Sequence, residues 1–225
     1  QAAASSEHED KVIMDKNGEQ FLPVSAIYGP NGGGKSNVLE ALHTVAAKVL
    51  RPLYATGDNE ERVFLQKKLL IEPFAFSEEM KNEPTEFEVF FRTELAEYRY
   101  ILHVKREIVV YECLDRVKLE TGRRSALFER NAEETILKGV FAKLKISDEL
   151  SETLPLLSYL GITYKKNEVV KDVLEWFEYG IDFLNYGNPI EELRMAVSNS
   201  EDVKQLMLDM IQEMDLEDRK STRLN

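Results

Sequence analysis

The sequence predicts an α/β protein on three observations. A short apolar run, Val24-Ser25-Ala26-Ile27-Tyr28, leads into a glycine-rich loop and then an amphipathic helical pattern. From about Thr85 to Phe128 the apolar residues recur with a period of two. Beyond about Ile146 the spacing becomes helical. The order is therefore strand–loop–helix, then sheet, then helices.

Each element has its own justification. The stretches from Lys11 to Met14 and from Gln20 to Leu22 flank the polar run Asp15-Lys16-Asn17-Gly18-Glu19, which predicts a hairpin turning at Asn17-Gly18. Val24 to Tyr28 reads as a buried strand. From Lys35 to Leu50, a helix is expected to place Val38, Leu39, Leu42, Val45, Ala46 and Val49 on one face, with Pro52 as its stop. Phe87, Val89 and Phe91 alternate with Glu86, Glu88 and Phe90. Tyr98, Tyr100, Leu102 and Val104 alternate with Arg99, Ile101 and His103, and Ile108 to Leu119 is a third β-like run. Together they predict an antiparallel meander, bounded by turn signals at Asn82-Glu83-Pro84 and Thr121-Gly122. Ser147 and Ser151 are expected to cap short helices. Glu168 to Tyr179 carries Val169, Val170, Val173, Leu174 and Phe177 at helical spacing. Ser200 is expected to cap a last helix, Glu201 to Met214, with Val203, Leu206, Met207, Met210 and Ile211 inward.

Composition narrows the function. The 225 residues are 43% hydrophobic and 31% charged, which suits one large domain, or one with a sizeable insertion, and a true core. No apolar run approaches the roughly 18 residues of a membrane span. The start has no signal-peptide pattern, and its first residue is Gln1 rather than Met, so an earlier beginning is expected. A single cysteine, Cys113, excludes an internal disulfide and a cysteine-based zinc site. A cytoplasmic location is expected. The net charge is −12, no block of five Lys/Arg occurs, and nucleic acid as a partner has no support.

One motif carries chemistry. Gly29-Pro30-Asn31-Gly32-Gly33-Gly34-Lys35-Ser36 fits the P-loop pattern G-x-x-x-x-G-K-S/T at every fixed position, between a strand signal and a helix signal. Glycines let the backbone wrap closely around phosphates, and the N–H groups and helix N-terminus face the anion. Lys35 is expected at the β- and γ-phosphates, and the Ser36 hydroxyl on Mg²⁺. The expected ligand is Mg-ATP.

Pro30-Asn31 before the glycines and Asn37 after Ser36 resemble the P-loops of ABC/SMC-like ATPases, which include RecF-like and DNA-repair members. Ala26 to Leu42, Pro73-Phe74-Ala75-Phe76, Pro84-Thr85-Glu86-Phe87-Glu88-Val89 and Leu127-Phe128-Glu129-Arg130 extend the likeness to AAA-type, ABC-like ATP-binding proteins of bacteria. Many of these are associated with anti-phage defence and are related to the OLD-family nucleases. The resemblance covers most of residues 11 to 217 and implies an α/β P-loop NTPase of ABC-like type, with an antiparallel β-meander and a helical insertion. It implies Gly29, Pro30, Asn31, Gly32, Gly33, Gly34, Lys35, Ser36 and Asn37 as the nucleotide site. It also implies a homodimer through the ATP sites, with hydrolysis in the intact dimer driving an effector in anti-phage defence or DNA repair. An ABC transporter ATPase subunit and a regulatory ATP-sensing module are the alternatives.

Several family features have no match after Ser36. Val109-Val110-Tyr111-Glu112 comes nearest to a Walker B run but reads as a strand with an exposed Glu112. Ser158-Tyr159-Leu160-Gly161 is not an ABC signature. His8, His43 and His103 read as surface or helix-face residues, and Gln66 as a solvated helix-face residue rather than a γ-phosphate sensor. Trp176, Phe177, Tyr179 and Phe183 read as core packing rather than an aromatic box. The end, Asp218-Arg219-Lys220-Ser221-Thr222-Arg223-Leu224-Asn225, back-translates to a common sequencing adapter read in frame. The expected organisation is an N-terminal ATPase lobe with the meander over 1–145, a helical insertion over 146–217, and a non-native tail over 218–225, with the catalytic carboxylates absent from this chain.

Overall fold

The computed structural model describes residues 12–15, 18–54, 71, 80–148, 150–181 and 205. The chain divides into two units, Gln1–Gly180 and Ile181–Asn225, and every element below lies in the first. The first unit opens with a hairpin of β1 (Ile13–Met14) and β2 (Gln20–Phe21), paired antiparallel. Gly18 turns it with φ +79, and the Asp15 carboxylate accepts from the Glu19 amide. Asn17 of the expected turn lies outside the described residues.

Helix α1 (Lys35–Tyr54) follows the glycine-rich loop. A five-stranded antiparallel sheet comes next, ordered as in the sequence: β3 (Thr85–Arg92), β4 (Ala96–Lys105), β5 (Ile108–Lys118), β6 (Arg124–Arg130) and β7 (Thr135–Leu137). The expected meander is present, extended by β6 and β7. Short 3-10 turns at Met80–Asn82 and Gly139–Phe141 flank the sheet, and helices α2 (Leu156–Thr163) and α3 (Glu168–Tyr179) follow. Asn167 caps α3 by accepting from the Val169 and Val170 amides at 3.1 and 3.2 Å.

One core joins the sheet to the helices. Tyr98, Tyr100, Leu102 and Leu114 project from the inner sheet face and are all buried. Val170, Val173 and Phe177 of α3 are buried too, and Phe177 meets Phe91 and Tyr100 edge to face at 5.5 and 5.7 Å. Buried aromatic pairs of this kind each add roughly 0.5–1.5 kcal/mol beyond their area. Trp176 stacks on Phe91 at 4.1 Å and meets Phe177 edge to face, which bears out core packing for Trp176 and Phe177, whereas Tyr179 is exposed. Phe183 lies outside the described residues.

The structure corrects four local expectations. Val24 to Tyr28 forms no strand and is exposed, with Tyr28 89% exposed. A buried strand needs a ladder partner, and among the described residues none pairs with it. Helix α1 continues two residues past Pro52. A proline in the last turn forfeits one hydrogen bond there, and Tyr54 Oη, held to Glu178, anchors the extension. The apolar face of α1 is not buried along its length: Val38 and Leu39 are exposed, whereas Val45 to Leu50 are buried on all sides. The covering elements reach only its C-terminal half, where Ser158 Oγ donates to the Val49 carbonyl at 2.7 Å. Ser147 and Ser151 cap no helix. Their carbonyls close single turns to Leu150 and Leu154, and α2 begins after Pro155 instead. The helix expected after Ser200 lies outside the described residues, apart from helical Gln205.

Candidate nucleotide site

The loop of residues 29–34 is shaped by its glycines. The Gly33 amide donates to the Pro30 carbonyl at 3.1 Å, closing a four-residue turn. Gly32, third in that turn, has φ +80, the conformation a type II turn reserves for glycine. Gly34 has φ +78, and a Cβ on either residue would meet nothing within 4 Å. Backbone conformation, not space, is what demands glycine at both positions. Gly33 differs, since its Cβ would lie 3.0 Å from the Pro30 carbonyl oxygen.

The loop delivers the chain into α1 with its first amides free. Asn37 N–H bonds the Gly34 carbonyl at 3.0 Å, but no backbone carbonyl among the described residues accepts from Gly34, Lys35 or Ser36. Helix geometry explains this, because first-turn amides have no carbonyl one turn behind them. No acidic residue sits in the first turn of this 20-residue helix, so the positive end of its dipole is not offset locally. The Lys35 ammonium folds back over the loop and donates to the Gly29 and Pro30 carbonyls at 2.9 and 2.6 Å. An ammonium has three donors, so one remains. Ser36, Asn31 and Asn37 are exposed. Free amides, a helix N-terminus and an ammonium fit a polyphosphate. One protein hydroxyl, that of Ser36, is enough for Mg²⁺, which commonly keeps waters and substrate phosphates as its other ligands. The structure thus brings Gly29 to Asn37 together as one loop and helix start.

Glu112 is corrected. It stands on β5 as expected but is fully buried, not exposed. Its Oε2 accepts from the Leu156 amide at 2.6 Å, and its Oε1 accepts from the Leu157 amide and Tyr100 Oη, both at 2.9 Å. The carboxylate caps α2 from a neighbouring strand. Burial pushes its pKa up, against the pull of the two amides, Tyr100 and Arg130. Arg130 itself donates to the Leu154 and Ser151 carbonyls and holds the approach to α2. An acid inside an apolar strand run was the only sequence signal for this role.

Of the other candidates, His103 lies on the outer sheet face beside Tyr111, with Glu86 3.8 Å from its Nδ1. Ser158 to Gly161 is part of α2. His8 and Gln66 lie outside the described residues. Among the described residues no cluster of His, Cys, Asp or Glu is arranged to hold a metal, and no helix is long and apolar enough to cross a membrane.

No curated protein and no solved structure matches the chain significantly. A family model described as "AAA domain, putative AbiEii toxin, Type IV TA system" matches residues 24–184, which take in the glycine-rich loop, α1, the whole meander, α2 and α3. With more than half of its length matched and the P-loop inside the match, the chain belongs to this AAA-domain family of P-loop, nucleotide-binding ATPases.

Proposed function

We propose that the chain binds Mg-ATP at Gly29 to Asn37. The observation that carries this reading is the start of α1, where the amides of Gly34, Lys35 and Ser36, which no backbone carbonyl among the described residues takes up, and the ammonium of Lys35 border one loop. The amides and Lys35 hold the β- and γ-phosphates, and the Ser36 hydroxyl holds Mg²⁺. The metal supplies charge neutralisation between phosphate oxygens when bound. Hydrolysis belongs to the intact protein as a homodimer, whose subunits complete each other's sites in the cytoplasm. ATP turnover there drives an effector in anti-phage defence or DNA repair. The family's description as a type IV TA system toxin supports a defence setting over a transport one.

Titration calorimetry with Mg-ATP tests the binding step. Lys35→Ala removes a charge-assisted contact of about 1.5–3 kcal/mol, so the affinity should fall by about ten- to a hundredfold. Equal affinity in wild type and variant would sink the reading.

A further inference from the structure

The outer face of the meander carries a groove of about 520 Å³, none of whose lining residues belongs to the glycine-rich loop. Its size lies within the roughly 300–1,000 Å³ usual for small-molecule sites. Strand register builds its walls. Phe90, Arg99, Asp115 and Ala126 are direct cross-strand neighbours on β3 to β6, and Arg92, Glu97, Val117 and Arg124 form the adjacent row. Residues two apart on a strand share a face, so both rows project from one side of the sheet, opposite buried Tyr98 and Tyr100.

The first row presents a flat platform. Arg99 lies 5.9 Å over the Phe90 ring. Its Nε donates to Glu88 Oε1 at 2.5 Å, and its Nη1 lies 3.5 Å from Asp115 Oδ2. Carboxylates gripping the edge of a guanidinium fix its plane and leave a face for stacking on a planar ring. Phe90 is 70% exposed, and Val117 and Ala126 supply an apolar floor.

The second row supplies charge. Glu97 is committed to Arg92, as Asp115 is to Arg99. Arg124, at the far end, is exposed and pairs with no carboxylate among the described residues. A cation beside a stacking platform selects a ligand with both a ring and an anion. We infer that this groove binds a planar aromatic ligand carrying one anionic group, a carboxylate or a phosphate. The ring lies against Phe90, Arg99, Val117 and Ala126, and the anion meets Arg124.

Nitrogen–proton NMR titration of the full chain with phenyl phosphate and with benzoate tests the inference. Saturable shifts are expected at the Val117, Arg124 and Ala126 amides, and the tighter probe identifies the anion. Arg124→Gln and Phe90→Ala alter exposed side chains and leave the core intact. Each should weaken binding about tenfold, the worth of one charge-assisted or stacking contact. Inorganic phosphate, which lacks the ring, and benzyl alcohol, which lacks the charge, should each bind more weakly by a similar factor. Lys35→Ala should change nothing here, which separates the groove from any phosphate response of the loop. Shifts confined to Gly29 to Asn37, or equal affinity in Arg124→Gln, would overturn the assignment.

Discussion

The Glu112 carboxylate on β5 accepts the Leu156 amide at 2.6 Å, so the first turn of α2 is capped by a residue 44 positions earlier in the chain. Helix α2 has no capping side chain of its own, since Pro155 precedes it and its first turn contains no acid. The strand therefore supplies what the helix lacks. Sheet and helix are locked at a fully buried point, where unpaired amides would be costly.

Glu112→Ala should destabilise the fold by about 3 kcal/mol or more, because two amides and Tyr100 Oη lose their acceptor in a site closed to water. Urea unfolding measures it, and a loss under about 1 kcal/mol would contradict the capping role. The pH dependence has a defined sign. Burial raises the folded-state pKa of Glu112, so the folded chain holds this proton more tightly than the unfolded chain. Its contribution is most favourable below the ordinary carboxylate range and is lost as pH climbs through the raised value. Wild type should lose stability across that window relative to Glu112→Gln, which carries no titratable group there.

The capping residue also marks the boundary of what sequence could say. The meander was legible because Tyr98, Tyr100, Leu102 and Val104 bury one face of β4 at strict period two. The helical spacing of Val169, Val170, Val173, Leu174 and Phe177 placed α3 correctly, though its Asn167 cap was not read. The glycine-rich loop was legible because positive φ at Gly32 and Gly34 admits few other residues. Glu112 was not, since an acid in a strand reads as solvated, and no local spacing links it to amides on a distant helix. Burial along α1 was hidden for a similar reason: periodicity reports which face can be covered, not how far the cover extends. Pro52 does not stop α1, because a proline in the last turn removes only one helical bond.

The loop glycines should differ in what they tolerate. Gly34→Ala meets no atom but must hold a left-handed backbone, at a cost of roughly 1–2 kcal/mol. We expect Mg-ATP affinity to fall about tenfold by calorimetry. Gly32→Asn should be milder than Gly32→Val, because asparagine visits positive φ more readily than a β-branched residue. Equal losses in the Asn and Val variants would show that conformation is not what selects glycine there.

Gly161 tests the helix layer. A Cβ there would lie 2.4 Å from Leu174 Cδ1 and 3.0 Å from Leu53 Cδ2, between α3 and α1. Gly161→Ala should destabilise the protein by about 1–3 kcal/mol as those leucines are forced from their rotamers. Thermal unfolding reads the loss. Since the loop lies at the other end of α1, Mg-ATP affinity measured well below the transition should be unchanged. An affinity loss as large as that of Lys35→Ala would mean that α1 transmits strain along its length.

Turnover is the last prediction, and it follows from where Glu112 points. Hydrolysis needs a carboxylate to orient water and donors for the developing charge on the γ-phosphate. Glu112 has the sequence setting nearest to such a carboxylate, but its oxygens are taken by Leu156, Leu157 and Tyr100 inside the core. It cannot face solvent without uncapping α2. We therefore expect the 225-residue chain to release phosphate from ATP no faster than its Lys35→Ala variant, even while binding the nucleotide. A steady-state phosphate-release assay decides it. Lys35-dependent turnover that survives Glu112→Gln would place the catalytic carboxylate elsewhere in this chain. Turnover abolished by Glu112→Gln, with stability preserved, would mean that the carboxylate leaves α2 during the reaction.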